Sequence, residues 1–131
     1  MLLDTSGLLC LHHRAEPRHK AAVELFDAAE QKFVHSYVLA EFVALATARG
    51  LPRQEVLGFV ADIEDSFEVT VVYADEALHR AALALLQGRL DKAWSLCDAV
   101  SFVLMERFGI AAALTTDHHF EQAGFRRLLV A

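Results

Sequence analysis

Residues 32–50 read KFVHSYVLAEFVALATARG, and this stretch decides the fold class. Lys32-Phe33-Val34-His35 is a short β-type run. Ser36 stands where an N-cap belongs, and the apolar stretch behind it predicts a helix to about Arg49, closed by Gly50. A strand passing directly into a helix is half of a βαβ unit. The alternation continues in both directions. Upstream, Met1-Leu2-Leu3 reads as a strand, Gly7 to His13 as a short helix and Arg18 to Gln31 as a helix with Ala22, Leu25, Phe26 and Ala29 on one face. Downstream, helices are expected over Pro52 to Asp65, Ala74 to Gln87, Trp94 to Phe108 and His118 to Ala123. Strands are expected over Phe67 to Tyr73, Ala111 to Thr115 and Arg126 to Val130. Both prolines, Pro17 and Pro52, suit helix starts.

Alternating strands and helices imply parallel pairing with helices on both faces, and the strands read as continuous apolar runs, as doubly covered strands do. The expected fold is α/β, with a parallel sheet of about five strands in one domain spanning residues 1–131. In open sheets of this kind, ligand sites form beyond the carboxyl ends of the strands, near the point where strand order reverses.

Composition sets further bounds. A chain of 131 residues with 55% hydrophobic residues can bury a core without staples. No apolar run approaches the roughly 18–20 residues that a membrane span needs. Met1-Leu2-Leu3-Asp4 carries no basic leader, so a cytoplasmic protein without membrane partners is expected. Cys10 and Cys97 lack CxxC spacing and are expected to be reduced and buried. The net charge of −6 argues against nucleic-acid binding through surface charge alone, unless cations mediate it or basic residues cluster. One cluster exists, Arg14, Arg18, His19 and Lys20, and it fits either a solvated face or a nucleic-acid contact.

Four acids stand out. Asp4 directly follows the first strand, and Asp117 follows the fourth in Leu114-Thr115-Thr116-Asp117. Both occupy strand-end positions, and both can equally be helix caps. Glu41 is the only acid or base between His35 and Arg49. It lies past the first turn and has no basic partner three or four residues away, so capping and local pairing do not account for it. Asp98, in Leu96-Cys97-Asp98-Ala99-Val100, has capping-box spacing from Ser95. As a set, two acids at strand ends and two on early turns of apolar helices can meet at one sheet edge. Like charges ~4 Å apart repel by about 4 kcal/mol at an effective dielectric near 20. Such a cluster must therefore hold protons or cations. All-oxygen ligation suits Mg²⁺ or Mn²⁺ rather than zinc, and Mg²⁺ commonly meets substrate phosphates. That points to phosphodiester chemistry.

Competing motifs are weak. His12-His13 and His118-His119 are adjacent pairs, and neighbours on one helix diverge by about 100°. No GxGxxG, GxxxxGK[ST] or GxSxG occurs, and Ser6 has no evident His–acid partners.

The ordered set Asp4-Thr5-Ser6, Glu41 in an apolar helix, Leu96-Cys97-Asp98-Ala99-Val100-Ser101-Phe102 and Thr115-Thr116-Asp117-His118-His119-Phe120 resembles the PIN-domain family over essentially the whole chain. It looks most like the VapC-type ribonuclease toxins of type II toxin–antitoxin systems. The resemblance implies a three-layer α/β/α fold and an acidic quartet, Asp4, Glu41, Asp98 and Asp117, that binds one or two Mg²⁺ or Mn²⁺ ions and cleaves RNA. It implies supporting hydroxyls at Thr5, Ser6 and Thr116, RNA contacts at Arg14, Arg18 and Lys20, and a homodimer or higher homo-oligomer silenced by an antitoxin. Asp91 is acidic in some relatives, with no assigned role. The rival readings are another metal-dependent phosphoesterase, such as a DNA nuclease or phosphatase, and a non-catalytic binding module.

Overall fold

The computed structural model describes residues 1–130. Its elements follow in the order β1 (Leu2–Leu3), α1 (Thr5–His12), α2 (His19–Ala28), β2 (Lys32–His35), α3 (Ser36–Ala48), α4 (Arg53–Asp65), β3 (Val69–Val72), α5 (Glu76–Gln87), α6 (Leu96–Phe108), β4 (Ala112–Leu114), α7 (His119–Gln122) and β5 (Arg126–Arg127). The five strands form one parallel sheet in the order β3-β2-β1-β4-β5. The chain builds outward from β1 on one side, then returns to build β4 and β5 on the other. Strand order therefore reverses between β1 and β4.

Pleat alternation sorts the sheet's side chains into two layers. Leu3, Val34 and Leu114 face a core shared with α1, α2, α3 and α4. Leu2, Phe33 and Ala113 face Trp94, Phe102, Met105 and Phe120 of the α6–α7 side. Helix α5 packs on α6 through Leu78, Ala82, Val100 and Leu104. The result is the expected three-layer α/β/α arrangement. No helix among the described residues is long and apolar enough to cross a membrane. Cys10 and Cys97 are buried free thiols.

Several ends differ from expectation, each for a local reason. Helix α3 is capped by His35, whose Nδ1 accepts from the Val38 amide at 3.3 Å, and not by Ser36. The Ser36 hydroxyl instead accepts from the Ala74 amide at 2.8 Å, tying the start of α3 to the end of β3. Helix α6 begins at Leu96, two residues after Trp94, because Ser95 occupies the cap. Phe67 lies outside β3 and is exposed, and β5 ends at Arg127. The Leu128 and Leu129 amides still bond to the Ala113 and Thr115 carbonyls.

His35 also links the helices that carry Glu41 and Asp98. Since Nδ1 accepts, Nε2 holds the proton, and it donates to the Ser101 hydroxyl at 2.8 Å. The bond is wholly buried and joins the start of α3 to α6 one turn after Asp98.

Gly7 permits a close approach of helix to strand. A Cβ there would stand 2.0 Å from the Leu114 carbonyl oxygen, so only glycine lets α1 lie on the end of β4. We expect Gly7→Ala to destabilise the protein by about 3 kcal/mol or more in urea unfolding. Gly58→Ala in α4 meets nothing within 4 Å and should instead stabilise by about 0.5–1 kcal/mol. Equal, small effects at both positions would refute the close packing of α1 on β4.

Candidate active site

The pairing Leu3 to Leu114 places Asp4 beside Thr115 at the carboxyl ends of the two central strands. The Asp4 amide donates to the Leu114 carbonyl at 3.2 Å. Although Asp4 precedes α1, its side chain makes no cap hydrogen bond. The Thr115 hydroxyl instead donates to Asp4 Oδ2 at 2.7 Å. That hydroxyl accepts from the Asp117 amide at 3.0 Å and lies 3.2 Å from Ser6 Oγ, which itself accepts from the Thr116 amide at 2.9 Å. The network stitches the β1–α1 turn to the loop after β4. Arg127 secures the loop from behind by donating to the Thr116 carbonyl at 3.1 Å.

A cleft of about 390 Å³ opens here, lined by Asp4, Thr5, Ser6, Glu41, Asp98, Thr116, Asp117 and His118. All four acids singled out in the sequence thus share one cavity, together with the three hydroxyl residues beside them. Their environments differ. Asp4 and Asp98 are buried, Asp117 is half-buried, and Glu41 is exposed. Glu41 lines the cavity from its mouth and, among the described residues, forms no ion pair.

Capping and cavity lining turn out to be compatible. Ser95 and Asp98 form a complete capping box: Ser95 Oγ accepts from the Asp98 amide at 3.0 Å, and Asp98 Oδ2 accepts from the Ser95 amide at 3.1 Å. Oδ2 also meets His119 Nδ1 at 3.0 Å. Both partners use the same oxygen, which leaves Oδ1 without a protein partner among the described residues. Asp117 Oδ1 likewise accepts from the His119 amide at 2.9 Å.

Two participants escaped the sequence reading. Thr115 is wholly buried and is the hub of the network. His119 spans two acids, with Nδ1 at 3.0 Å from Asp98 and 3.4 Å from Asp117. Its neighbour His118 caps α7 in helical backbone conformation, with its ring 4.7 Å from that of His119. Asp117, His118 and His119 offer ligand atoms within 4.8 Å of one another. A threonine at a strand end and a histidine after an acid carry no distinctive signal in one sequence. Other candidates lie elsewhere. Asp91 is held by Arg89 at 3.0 and 3.1 Å, outside the cleft. Arg14, Arg18 and Lys20 lie beyond the far end of α1, whose eight residues span about 12 Å.

Burial pushes the Asp4 carboxyl up to about 7, against the Thr115 hydrogen bond that favours the charged form, with Asp98 and Glu41 adding repulsion. Thr5 is buried in the same wall, and its hydroxyl has no hydrogen-bond partner among the described residues. A buried carboxyl disfavoured as an anion, an unpaired hydroxyl and a lining in which carboxylate and hydroxyl oxygens outnumber the imidazole of His118 suit a hard divalent cation. Asp4, Glu41, Asp98 and Asp117 offer carboxylates to this cleft, while the closely spaced set of potential ligand atoms among the described residues is Asp117, His118 and His119.

The geometry defines a class first: a doubly wound α/β protein with an acidic cleft at its strand-order switch. The chain belongs to the PIN-domain family, whose model matches residues 1–126. Within that family it is of the VapC type. It is 31% identical over 122 residues to ribonuclease VapC26 of Mycobacterium tuberculosis, covering 92% of this chain and 89% of that protein. Its fold matches the crystal structure of Mycobacterium tuberculosis VapC20, described as a sarcin–ricin loop cleaving toxin, with a TM-score of 0.86, 27% identity and 95% of each chain covered.

Two buried groups make opposing demands on pH. Asp4, raised from 3.8 to about 7, keeps its proton in the fold while the unfolded chain loses it, so stability falls as pH rises across that window. His35, pushed by burial from 6.5 down to about 4, stays neutral in the fold while the unfolded chain gains a proton, so stability falls as pH drops across its window. In Asp4→Asn, unfolding free energy should rise from pH 4 to 6.5 by about 1 kcal/mol per unit. In His35→Asn, which keeps a capping acceptor, it should fall from pH 4 to 7. Parallel slopes in the two variants, followed by chemical denaturation without metal, would contradict the burial of these groups.

Proposed function

We propose that this chain is a metal-dependent endoribonuclease that cleaves RNA phosphodiester bonds, the toxin of a toxin–antitoxin pair. The observation that carries the reading is the shared cleft of Asp4, Glu41, Asp98 and Asp117, with Asp4 resisting ionisation. Similarity to the ribonuclease VapC26 and to VapC20, a sarcin–ricin loop cleaving toxin, points to RNA as the substrate class.

Asp4 and Asp98 are the principal ligands for Mg²⁺ or Mn²⁺. When bound, the metal supplies Lewis-acid stabilisation of the phosphate and a lowered pKa for an attacking water. Thr115 fixes Asp4 through Oδ2, and Ser95 with His119 fix Asp98 through Oδ2, so each carboxylate is oriented before substrate arrives. Glu41, at the mouth, accepts a hydrogen bond from the water aligned for attack. Asp117 completes the site or serves a second ion, with His118 beside it. Thr5, Ser6 and Thr116 hold the two loops and offer hydroxyls to the water shell. Arg14, Arg18 and Lys20 meet phosphates remote from the cut.

The reading takes residues 1–131 as one domain working in the cytoplasm as a homodimer or larger homo-oligomer. An antitoxin segment bearing a basic residue would satisfy the acidic cleft when RNA is absent. Acting through bound cations reconciles the net charge of −6 with a polyanionic substrate.

Purified protein with Mn²⁺ should cleave single-stranded RNA, and Asp98→Asn should lower the rate by about 100-fold or more. Mn²⁺ should raise the melting temperature of the wild type, as any ligand of the folded state does. Intact RNA alongside turnover of single-stranded DNA or a phosphomonoester would favour another phosphoesterase. No cleavage and no Mn²⁺-induced shift would favour a binding module.

A further inference from the structure

A second cavity, of about 430 Å³, opens between the end of α5, the middle of α6 and α7. Its size lies within the range of small-ligand sites. Its wall is aromatic: Trp94 meets Phe102 edge-on at 5.0 Å, and Phe102 stacks with Phe125 at 5.8 Å. The Arg89 guanidinium lies over the indole, 5.1 Å from the ring centroid, and the two-pronged bond to Asp91 holds its plane. Gln122 has a defined orientation too. The indole N–H can only donate, so its partner at 3.0 Å is the amide oxygen. The amide NH₂ is left with two donors and no protein partner among the described residues.

The charged lining residues are Arg89, Arg107 and Glu106, with Asp91 pairing Arg89. Glu106 sits on the rim beside Arg107. The cavity also neighbours the cleft. Along α6, Phe102 lies about 6 Å and Glu106 about 12 Å beyond Asp98. On α7, Gln122 comes three residues after His119. A purely aliphatic protein side chain would use the apolar wall and leave the guanidinium plane and amide donors idle. A planar base with carbonyl acceptors, on an anionic backbone, uses all three.

We propose that this cavity is a subsite for an unpaired nucleobase of the RNA beside the scissile phosphate, stacked on Arg89 and the aromatic wall and read by Gln122. This rests on the ribonuclease reading above. Trp94 is the chain's single tryptophan, so its emission reports on this cavity alone. A single-stranded RNA oligonucleotide titrated in EDTA should change Trp94 emission saturably, with binding followed in parallel by anisotropy of labelled RNA. Val103→Phe, which fills the cavity, should weaken binding about tenfold and raise KM for cleavage with kcat unchanged. Arg89→Gln, a surface change that leaves the core intact, should weaken binding at high salt as well as low, because stacking is not screened. Asp98→Asn should keep the emission change while cleavage is lost. RNA that binds and is cleaved without altering Trp94 emission, or unchanged KM in both Val103→Phe and Arg89→Gln, overturns the subsite and leaves the ribonuclease reading standing. An emission change that follows protein concentration without RNA overturns it in favour of a second copy. RNA neither bound nor cleaved by the wild type overturns both.

Discussion

The hydrogen bond from the Thr115 hydroxyl to Asp4 joins residues 111 apart in the chain and fixes where everything else must go. It exists because β1 and β4 pair in parallel at the centre of the sheet, with Leu3 opposite Leu114. That pairing requires α1 to cross the end of β4 closely, and Gly7 supplies the room. It also buries the Asp4 carboxyl, whose desolvation outweighs the hydrogen bond and raises its pKa to about 7. A cost of this kind at a strand-order switch is the usual signature of a functional position. Tertiary topology creates the acidic site, and the short local motifs then refine it.

The refinement works by giving one carboxylate two duties. Asp98 closes the capping box of α6 with the oxygen that also meets His119, and its other oxygen has no protein partner among the described residues. Asp117 accepts from the amide that starts α7 while lining the same cleft. Asking whether these residues are caps or ligands sets up a false choice. A cap orients a carboxylate in the same way as a supporting shell orients a metal ligand. His35 extends the scheme by joining the helices that carry Glu41 and Asp98 through one buried bond to Ser101.

The order of elements was legible in the sequence because strand and helix periodicities alternate cleanly, and the four acids were legible because their neighbours are so apolar. Element ends were less so. Ser36 reads as a cap by type, yet the imidazole of His35 reaches the Val38 amide first, and the Ser36 hydroxyl answers to Ala74, distant in sequence. Thr115 and His119 gain their importance only from partners across the fold, which local pattern cannot reveal. Glu41 drew notice because no local pairing explained it. It does line the cleft, but from the exposed mouth, so its carboxylate keeps the hydration that Asp4 has lost. The aromatic cavity was illegible for another reason: Trp94, Phe102 and Phe125 all read as ordinary core.

A cation held between the buried carboxylates of Asp4 and Asp98 is the central expectation for this site. Crystals soaked in Mn²⁺ and measured at the manganese absorption edge test it directly. An anomalous peak within coordination distance, about 2.0–2.3 Å, of carboxylate oxygens of both Asp4 and Asp98 is the predicted result. A cleft with no peak, or manganese held only by Asp117, His118 and His119, would contradict it.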